Sequence, residues 1–336
     1  MKDRRSPNLI LSTAPFLHTE ATTPKVMLEV VLATIPVIAA ACWYFGLGIL
    51  LVIGAAVLGA LLTEWVFSRS KTPPTLLDNS ALLTGILLGL VLPPGFPLWM
   101  AFLGGGVGIG LGKLIWGGLG QNIFNPALVG RAFLQASFPT AITTWMEPSQ
   151  GLMRISERLF AVPLMQAADT VTTATPLNLA KFSKEFTVVG KLAIGNIGGS
   201  IGETSGLILI ICGIWLGIRR IFDWRLPLST ILATALFSGV FWAFSPDSFP
   251  NPLFMVFSGG LLFGAVFMVT DPVTTPTTKK GAWIFGAGVG LLVVLIRLFG
   301  GLPEGVMYAI LLMNAVTPYI NHYTQPRQFG GGKKKA

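Results

Sequence analysis

The chain is poor in the residues that build metal centres and charged surfaces. It has two cysteines and two histidines in 336 residues. Cys42 and Cys212 each sit inside an apolar stretch, and His18 and His322 lie near the two ends. Two cysteines cannot supply the four ligands of an ordinary iron–sulfur cluster. They read as small core hydrophobes, and neither a haem nor a zinc site is expected within this polypeptide alone. Charge is scarce too: 11% of residues are Asp, Glu, Lys or Arg, against about 25% in soluble domains. No P-loop is present, so ATP-driven transport has no visible engine, and no dinucleotide fingerprint follows a strand, so no nicotinamide site is assigned. A cleavable signal peptide is not apparent either. The first 24 residues are polar and carry Pro7, Pro15 and Pro24, and the first apolar run is long enough to stay in a membrane.

What is abundant is apolar sequence. The chain is 52% hydrophobic, with a mean hydropathy of +0.71. Many runs approach the roughly 20 residues that cross a bilayer. The net charge of +9 does not point to nucleic acid. The basic residues sit at the ends and in short loops, where they meet anionic headgroups and set orientation. No basic stripe with interleaved aromatics marks a nucleic-acid groove.

The pattern predicts an all-α polytopic membrane protein with about ten transmembrane segments. Five precede one long polar loop, at residues 25–46, 48–67, 81–92, 98–116 and 124–138. Five follow it, at 207–218, 227–244, 253–269, 283–299 and 306–320. The domain reading is an N-terminal arm (1–24), a first membrane repeat (25–138), a loop (139–193), a second repeat (194–320) and a basic tail (321–336). Segments three and eight are short and end at Pro93-Pro94-Gly95 and Thr270-Asp271-Pro272. Interrupted segments at matching places in two halves point to a binding site made from broken helices. The halves also share a pattern. Gly106-Val107-Gly108, Lys113 and Trp116-Gly117-Gly118 are matched by Gly288-Val289-Gly290, Arg297 and Phe299-Gly300-Gly301. An odd number of spans per half makes the second copy inverted. Lys2, Arg4, Arg5, Lys25, Arg69, Lys71, Lys113, Arg219, Arg220, Arg225, Lys279, Lys280 and Lys333 to Lys335 all fall on one side if ten segments alternate. That side is cytoplasmic, so both termini are expected inside and the long loop outside.

Several stretches stand out. Glycine runs such as Gly104-Gly105-Gly106 are packing features first, because small residues let membrane helices approach. Residues 117–126 place Gln121, Asn122 and Asn125 among glycines between two helices. Their amides offer donors and acceptors together, which suits the imide edge of an isoalloxazine and equally suits helix capping. Thr270 to Thr278 close segment eight around Asp271, which either caps a turn or binds a ligand or cation. Asp78, Asn79 and Ser80 precede segment three as caps. Gly198 to Ser205, with Ser200 and Glu203, opens segment six, where backbone N–H groups favour anions. In the long loop, Asp169, Thr170, Thr172, Thr173 and Thr175 crowd together before Pro176.

Taken together these motifs resemble one family, which contains the RnfD proteins of Rnf electron-transport complexes and the NqrB proteins of the sodium-pumping NADH:quinone oxidoreductase. The resemblance runs nearly end to end. It is carried by Ser6-Pro7-Asn8, residues 120–126, 169–177 and 198–205, Thr270 to Thr277, residues 285–301, Pro303-Glu304-Gly305 and Met313-Asn314-Ala315. It implies a flavin acceptor of the form Asp-x-x-Ser/Thr-Gly-Ala-Thr, matched by Asp169, Thr172, Ala174 and Thr175, with Thr173 in place of the usual Gly. FMN would then be joined through its phosphate to Thr175, with Asp169 serving recognition by a flavin transferase outside the cytoplasm. Ser200 and Glu203 would lie near the FMN, while Asn122, Asn125, Asp271 and Thr274 would hold a non-covalent riboflavin. The family's Ser-Pro-His reads Ser-Pro-Asn here.

The resulting expectation is a flavoprotein component of an ion-translocating ferredoxin:NAD oxidoreductase in a bacterial or archaeal plasma membrane. It would pass electrons across the bilayer and work with other Rnf proteins, including a second covalent-FMN protein, to move Na⁺ or H⁺. The cofactors would carry the redox chemistry. A solute transporter or channel on the same inverted-repeat fold is the alternative, and it would have no use for the acceptor loop.

Overall fold

The computed structural model describes residues 22–68, 75–148, 151, 153, 155–163, 173–246 and 248–326. Ser6, Pro7, Asn8, Arg69, Lys71, Asp169, Thr172 and the C-terminal lysines lie outside the described residues. Within them the chain is helical, without a strand. The first half holds α1 (Thr23–Phe45), α2 (Gly48–Ser68), α3 (Ser80–Leu90), α4 (Leu98–Ile109) and α5 (Pro126–Ser137); a π-helical turn, Gly110–Leu114, prolongs α4. The connection holds three short helices, α6 (Pro139–Ile142), α7 (Pro176–Asn178) and α8 (Val189–Ile194). The second half holds α9 (Gly206–Ile218), α10 (Arg225–Phe244), α11 (Pro252–Phe257), α12 (Leu261–Phe263), α13 (Lys279–Phe299) and α14 (Val306–Thr324). Another π-helical turn, Gly264–Met268, continues α12. Each hydrophobic segment expected from the sequence therefore contains helix, with segment eight divided into α11 and α12.

Helices α1, α2, α10 and α13 are long and apolar enough to cross a membrane, since about 20 residues at 1.5 Å rise cover a hydrocarbon core. Shorter apolar helices are Ser80–Leu90, Leu98–Leu114 and Gly206–Ile218. Helix α10 shows the polarity expected in lipid. Leu228, Leu232, Leu236 and Val240 face outward, while Ser229, Thr230, Thr234 and Ser238 are buried. The inward hydroxyls are satisfied locally, Thr230 donating to Leu226 O at 2.9 Å and Thr234 to Thr230 O at 2.9 Å. A soluble helix turns the other way, with its apolar face to the core.

Glycine sets close helix approaches in both halves. In the α2–α4 pair a Cβ on Gly105 would lie 2.1 Å from Ala56 O, and one on Gly59 would lie 2.0 Å from Phe102 O. In the α10–α13 pair a Cβ on Gly290 would lie 2.7 Å from Thr230 O. Backbones this close admit no side chain. Helix starts follow the cap-and-proline rule. Asn125 caps α5 ahead of Pro126, its Oδ1 accepting from Ala127 N at 3.0 Å. Asn251 caps α11 ahead of Pro252, and Thr175 caps α7 ahead of Pro176.

The broken elements position the polar sites. Helix α3 has 11 residues and so is about 16 Å long. Its end runs into a buried irregular stretch, Val91 to Phe96, where Leu92 O accepts from Ile201 N at 3.0 Å. In the second half the break between α11 and α12 falls at Ser258-Gly259-Gly260, and the π-helical turn leads to Thr270 and Asp271. Irregular backbone at such depth is tolerated where protein buries it or a cavity adjoins it.

Candidate functional sites at the two ends of the broken helices

The first site is a cavity of about 740 Å³ between the halves. Its walls are α1 (Val26, Met27, Val30), α3 (Ser80, Leu83, Thr84, Leu87), the loop residues Leu119, Asn122 and Asn125, and Phe267, Thr270 and Asp271 from the second half. The structure thus brings Asn122, Asn125 and Asp271 together across some 150 residues of sequence. Asn125 spends its oxygen on the α5 cap. Asn122 donates to Phe124 O at 3.3 Å, and its Oδ1 is buried without a partner. A buried amide oxygen of this kind is an acceptor waiting for a donor. Asp271 accepts from Val273 N at 3.1 Å and from the Thr274 hydroxyl at 3.2 Å. Burial raises its pKa, opposed by those two hydrogen bonds. Thr274 therefore supports Asp271 from behind and does not line the cavity.

Lys113 completes this pocket. The π-helical turn of α4 carries it into the cavity wall, and single π turns recur at functional sites. Its ammonium meets Glu64 Oε1 at 2.5 Å, Ser80 Oγ at 2.5 Å and Asp78 Oδ2 at 3.5 Å. Lys113 is 2% exposed and Glu64 is fully buried. This corrects the expectation that Lys113 faces headgroups as an orientation marker. At the start of α3 Asp78 Oδ1 accepts from Ser80 N at 2.8 Å, whereas Asn79, at the N-cap position, makes no side-chain cap. Arg219, another orientation marker, pairs with Glu29 on α1 at 2.7 Å and ties the first half to the end of α9.

The second site surrounds Thr175. A cavity of about 360 Å³ is lined by Thr175, Trp145, Gly198, Glu203, Gly259, Pro303 and Glu304. A neighbouring cavity of about 630 Å³ shares Trp145, Pro303 and Glu304 and adds Arg131, Gln135, Asn178 and Tyr308. Thr175 Oγ1 accepts from Asn178 N at 3.2 Å, which fixes the hydroxyl at the start of α7. The adjacent Thr173 is turned inward. Its Oγ1 is buried, and a Cβ on Gly198 would lie 2.7 Å from it. Ala174 is exposed. Glu203 lies at this site as expected; Ser200 is buried on the same turn and does not line the cavity.

A charged cluster that sequence reasoning did not assemble backs the second site. Glu304 pairs with Arg131 at 3.1 Å and accepts from Gly260 N at 2.7 Å. Arg297 is buried and donates to Met255 O at 2.6 Å and Ser258 O at 2.9 Å, holding the break between α11 and α12 open. A Cβ on Gly260 would lie 2.6 Å from Glu304 Oε1 and 3.0 Å from Glu203 Oε1, so glycine leaves room for both carboxyls. Burial pushes Glu203 up to about 7, and Glu304 adds to the rise while Arg131 and Ser200 oppose it. Burial would raise Glu304 as well, but Arg131, Arg297 and the Gly260 N–H hold it below the usual carboxylate range. Among the described residues no group of three or more His, Cys, Asp and Glu could hold a metal ion.

Lipid-facing leucines, buried hydroxyls and polar cavities at broken helices define a multi-pass helical membrane protein with internal binding sites. The sequence model of the NQR2, RnfD, RnfE family matches residues 10–330, and the chain belongs to that family. It is 38% identical over 347 aligned positions to the RnfD protein of the ion-translocating oxidoreductase complex of Escherichia coli strain UMN026, covering 96% of this chain and 99% of the relative. The same protein of strain ED1a matches equally, at 38% identity over the same shares.

Proposed function

We propose that this chain is the flavin-bearing RnfD component of an Rnf-type complex, in which electron transfer is coupled to Na⁺ or H⁺ movement. The observation that carries the reading is the place of Thr175. The acceptor motif residue stands on the wall of a cavity, next to a larger one, with its hydroxyl held by α7 and its neighbour Thr173 sealed inward. FMN joined through its phosphate to Thr175 would have the larger cavity for its ring. Trp145 and Tyr308 offer aromatic faces there, and Gln135 and Asn178 offer polar edges. Asp169 and Thr172, outside the described residues, would serve recognition by a flavin transferase. The bound flavin supplies one-electron redox chemistry; the protein sets its place and its field.

Riboflavin would occupy the cavity lined by Asn122, Asn125 and Asp271. Asn122 offers its unpartnered oxygen to a ring N–H, and Asp271 and Lys113 supply further polar contacts. Two inverted five-helix halves, ten spans and cytoplasmic termini in the plasma membrane would put this pocket near the cytoplasmic face and Thr175 outside. The chain would work within a membrane complex that includes a second covalent-FMN protein.

The test is expression of the full chain with a flavin transferase, followed by a denaturing gel. In-gel flavin fluorescence is expected in the unmutated chain and is lost in Thr175→Val. Fluorescence that persists in Thr175→Val moves the anchor elsewhere. Its absence from both chains, together with solute uptake into vesicles, supports the transporter alternative.

A further inference from the structure

We infer that Glu203 and Glu304 form a redox-linked proton site, taking up one proton when one electron reaches the flavin held at Thr175. The inference rests on the reading of Thr175 as flavin anchor, and its geometry is independent of that reading. The two carboxyls converge on the vacant Cβ position of Gly260, on the wall of the cavity that holds Thr175. They are held unequally. Glu304 has Arg131 and the Gly260 N–H as partners. Glu203 Oε1 is buried with no hydrogen-bond partner. A buried carboxylate with one oxygen left unpartnered is costly to ionise, and protonation is the usual relief.

The surrounding charges make the site responsive. Arg131 from α5 and Arg297 from α13 are the cations acting on the pair, and Glu304 is the carboxylate acting on Glu203. Lys181, on the π-helical turn Leu179–Ser183 that follows α7, is engaged with Gly300 O and Leu302 O on the connection that carries Glu304. With Glu203 neutral, two guanidinium groups face one carboxylate. Ionising Glu203 brings the count to balance, and an added electron then drives it negative. A proton from solvent restores balance by forming the O–H bond on Glu203. The electron comes from a one-electron donor, a flavin or iron–sulfur centre of a neighbouring protein in the complex. One electron and one proton enter, and no other bond changes. Glu203 also begins poised for this exchange, since burial and Glu304 bring its carboxyl to about 7.

Two measurements on the purified full-length chain test the site. Infrared difference spectra across a pH titration, with or without attached flavin, should show a protonated carboxyl band that disappears near neutral pH and is missing in Glu203→Gln. In Glu304→Gln the same band should disappear at lower pH, because the raising charge has gone while the arginines remain. Spectroelectrochemistry of the covalent flavin should give a first-electron potential that falls by about 59 mV per pH unit above neutrality, the tenfold step of a one-electron couple, and flattens in Glu203→Gln. A band indifferent to Glu203→Gln, or an equal slope in both proteins, overturns the proton site while the anchor stands. Flavin fluorescence persisting in Thr175→Val overturns the anchor, and with it the redox link, even where the carboxyl band still titrates.

Discussion

At the Lys113 end, the charges that pair with Lys113 are locked into helical structure. Lys113 rises from a π-helical turn, Glu64 from a long helix, Ser80 from the start of α3 and Asp78 from the short helical turn Thr75–Asp78 before it. At the Thr175 end, the carboxyls and the acceptor hydroxyl stand on connections. Glu203 sits on a short turn, Glu304 on the link between α13 and α14, and Thr175 on the long loop. Helix α3 and the α12 segment both run from one end towards the other. Ser80 and Thr84 line the first cavity, while Leu92 meets Ile201 two residues from Glu203. The second segment starts at Gly260, beside Glu304, and ends at Asp271, on the first cavity. The difference teaches how one scaffold would host the two kinds of ligand proposed for it. A non-covalent ligand needs a preformed pocket on rigid elements. A tethered one needs an accessible acceptor on a loop, and tolerates looser walls because its bond prevents escape.

The largest effect should come from breaking the rigid end. Lys113→Met leaves Glu64 buried without its partner, a change that costs about 3–5 kcal/mol. Thermal unfolding of the purified chain in detergent should register it, and adding Glu64→Gln should restore much of the loss. Arg131→Met should cost less, because Glu304 is 19% exposed on its side chain and keeps the Gly260 N–H. Equal losses at the two ends would erase the contrast between them.

A smaller change should separate the two ligands. Asn125→Ala removes the cap of α5, worth about 1 kcal/mol, and loosens the wall next to Asn122. Non-covalent flavin extracted from the denatured protein should fall, while in-gel fluorescence from Thr175 should stay unchanged. Loss of both flavins in this variant would mean that the ends do not act separately.

The legibility of the two ends from sequence differs for physical reasons. The Asn122 and Asn125 motif is local, and capping and ligand binding both demand amides at a helix start, so the stretch stands out without knowledge of its partners. Asp271 is equally visible, because a carboxylate closing an apolar segment must have a reason. The helices themselves are plain, since lipid imposes long apolar runs. The cluster of Arg131, Glu203, Arg297 and Glu304 cannot be assembled in this way. Its members come from three distant stretches, and each has a bland local reading as a helix end or turn residue. Lys113 misleads for a related cause. A lysine near a helix end counts towards orientation unless its partner is known, and Glu64 lies 49 residues away. One signal does exist: Lys113 and Arg297 each follow a Gly-Val-Gly and precede a Gly-Gly in the sequence. Both cations prove buried and bonded at interrupted helices.

The gentlest probe is pH, because it acts on one proton at a time. Glu203 binds its proton more tightly in the folded chain than when unfolded, its carboxyl being raised to about 7 from a value near 4.5. Its contribution to stability is therefore complete below the unfolded value and is lost as pH rises through about 7. Glu304 is lowered, so its contribution is present above the unfolded value and is lost as pH falls through its own. Asp271, raised by burial, acts in the same sense as Glu203 but from the Lys113 end. Unfolding temperature should thus decline between about pH 4.5 and 7, and Glu203→Gln should shallow that decline without removing it, the remainder belonging to Asp271. Asp271→Asn should remove the remainder. If Glu203→Gln leaves the slope untouched, the carboxyl is already satisfied in the folded chain, and the Thr175 end is as rigidly paired as the end that holds Lys113.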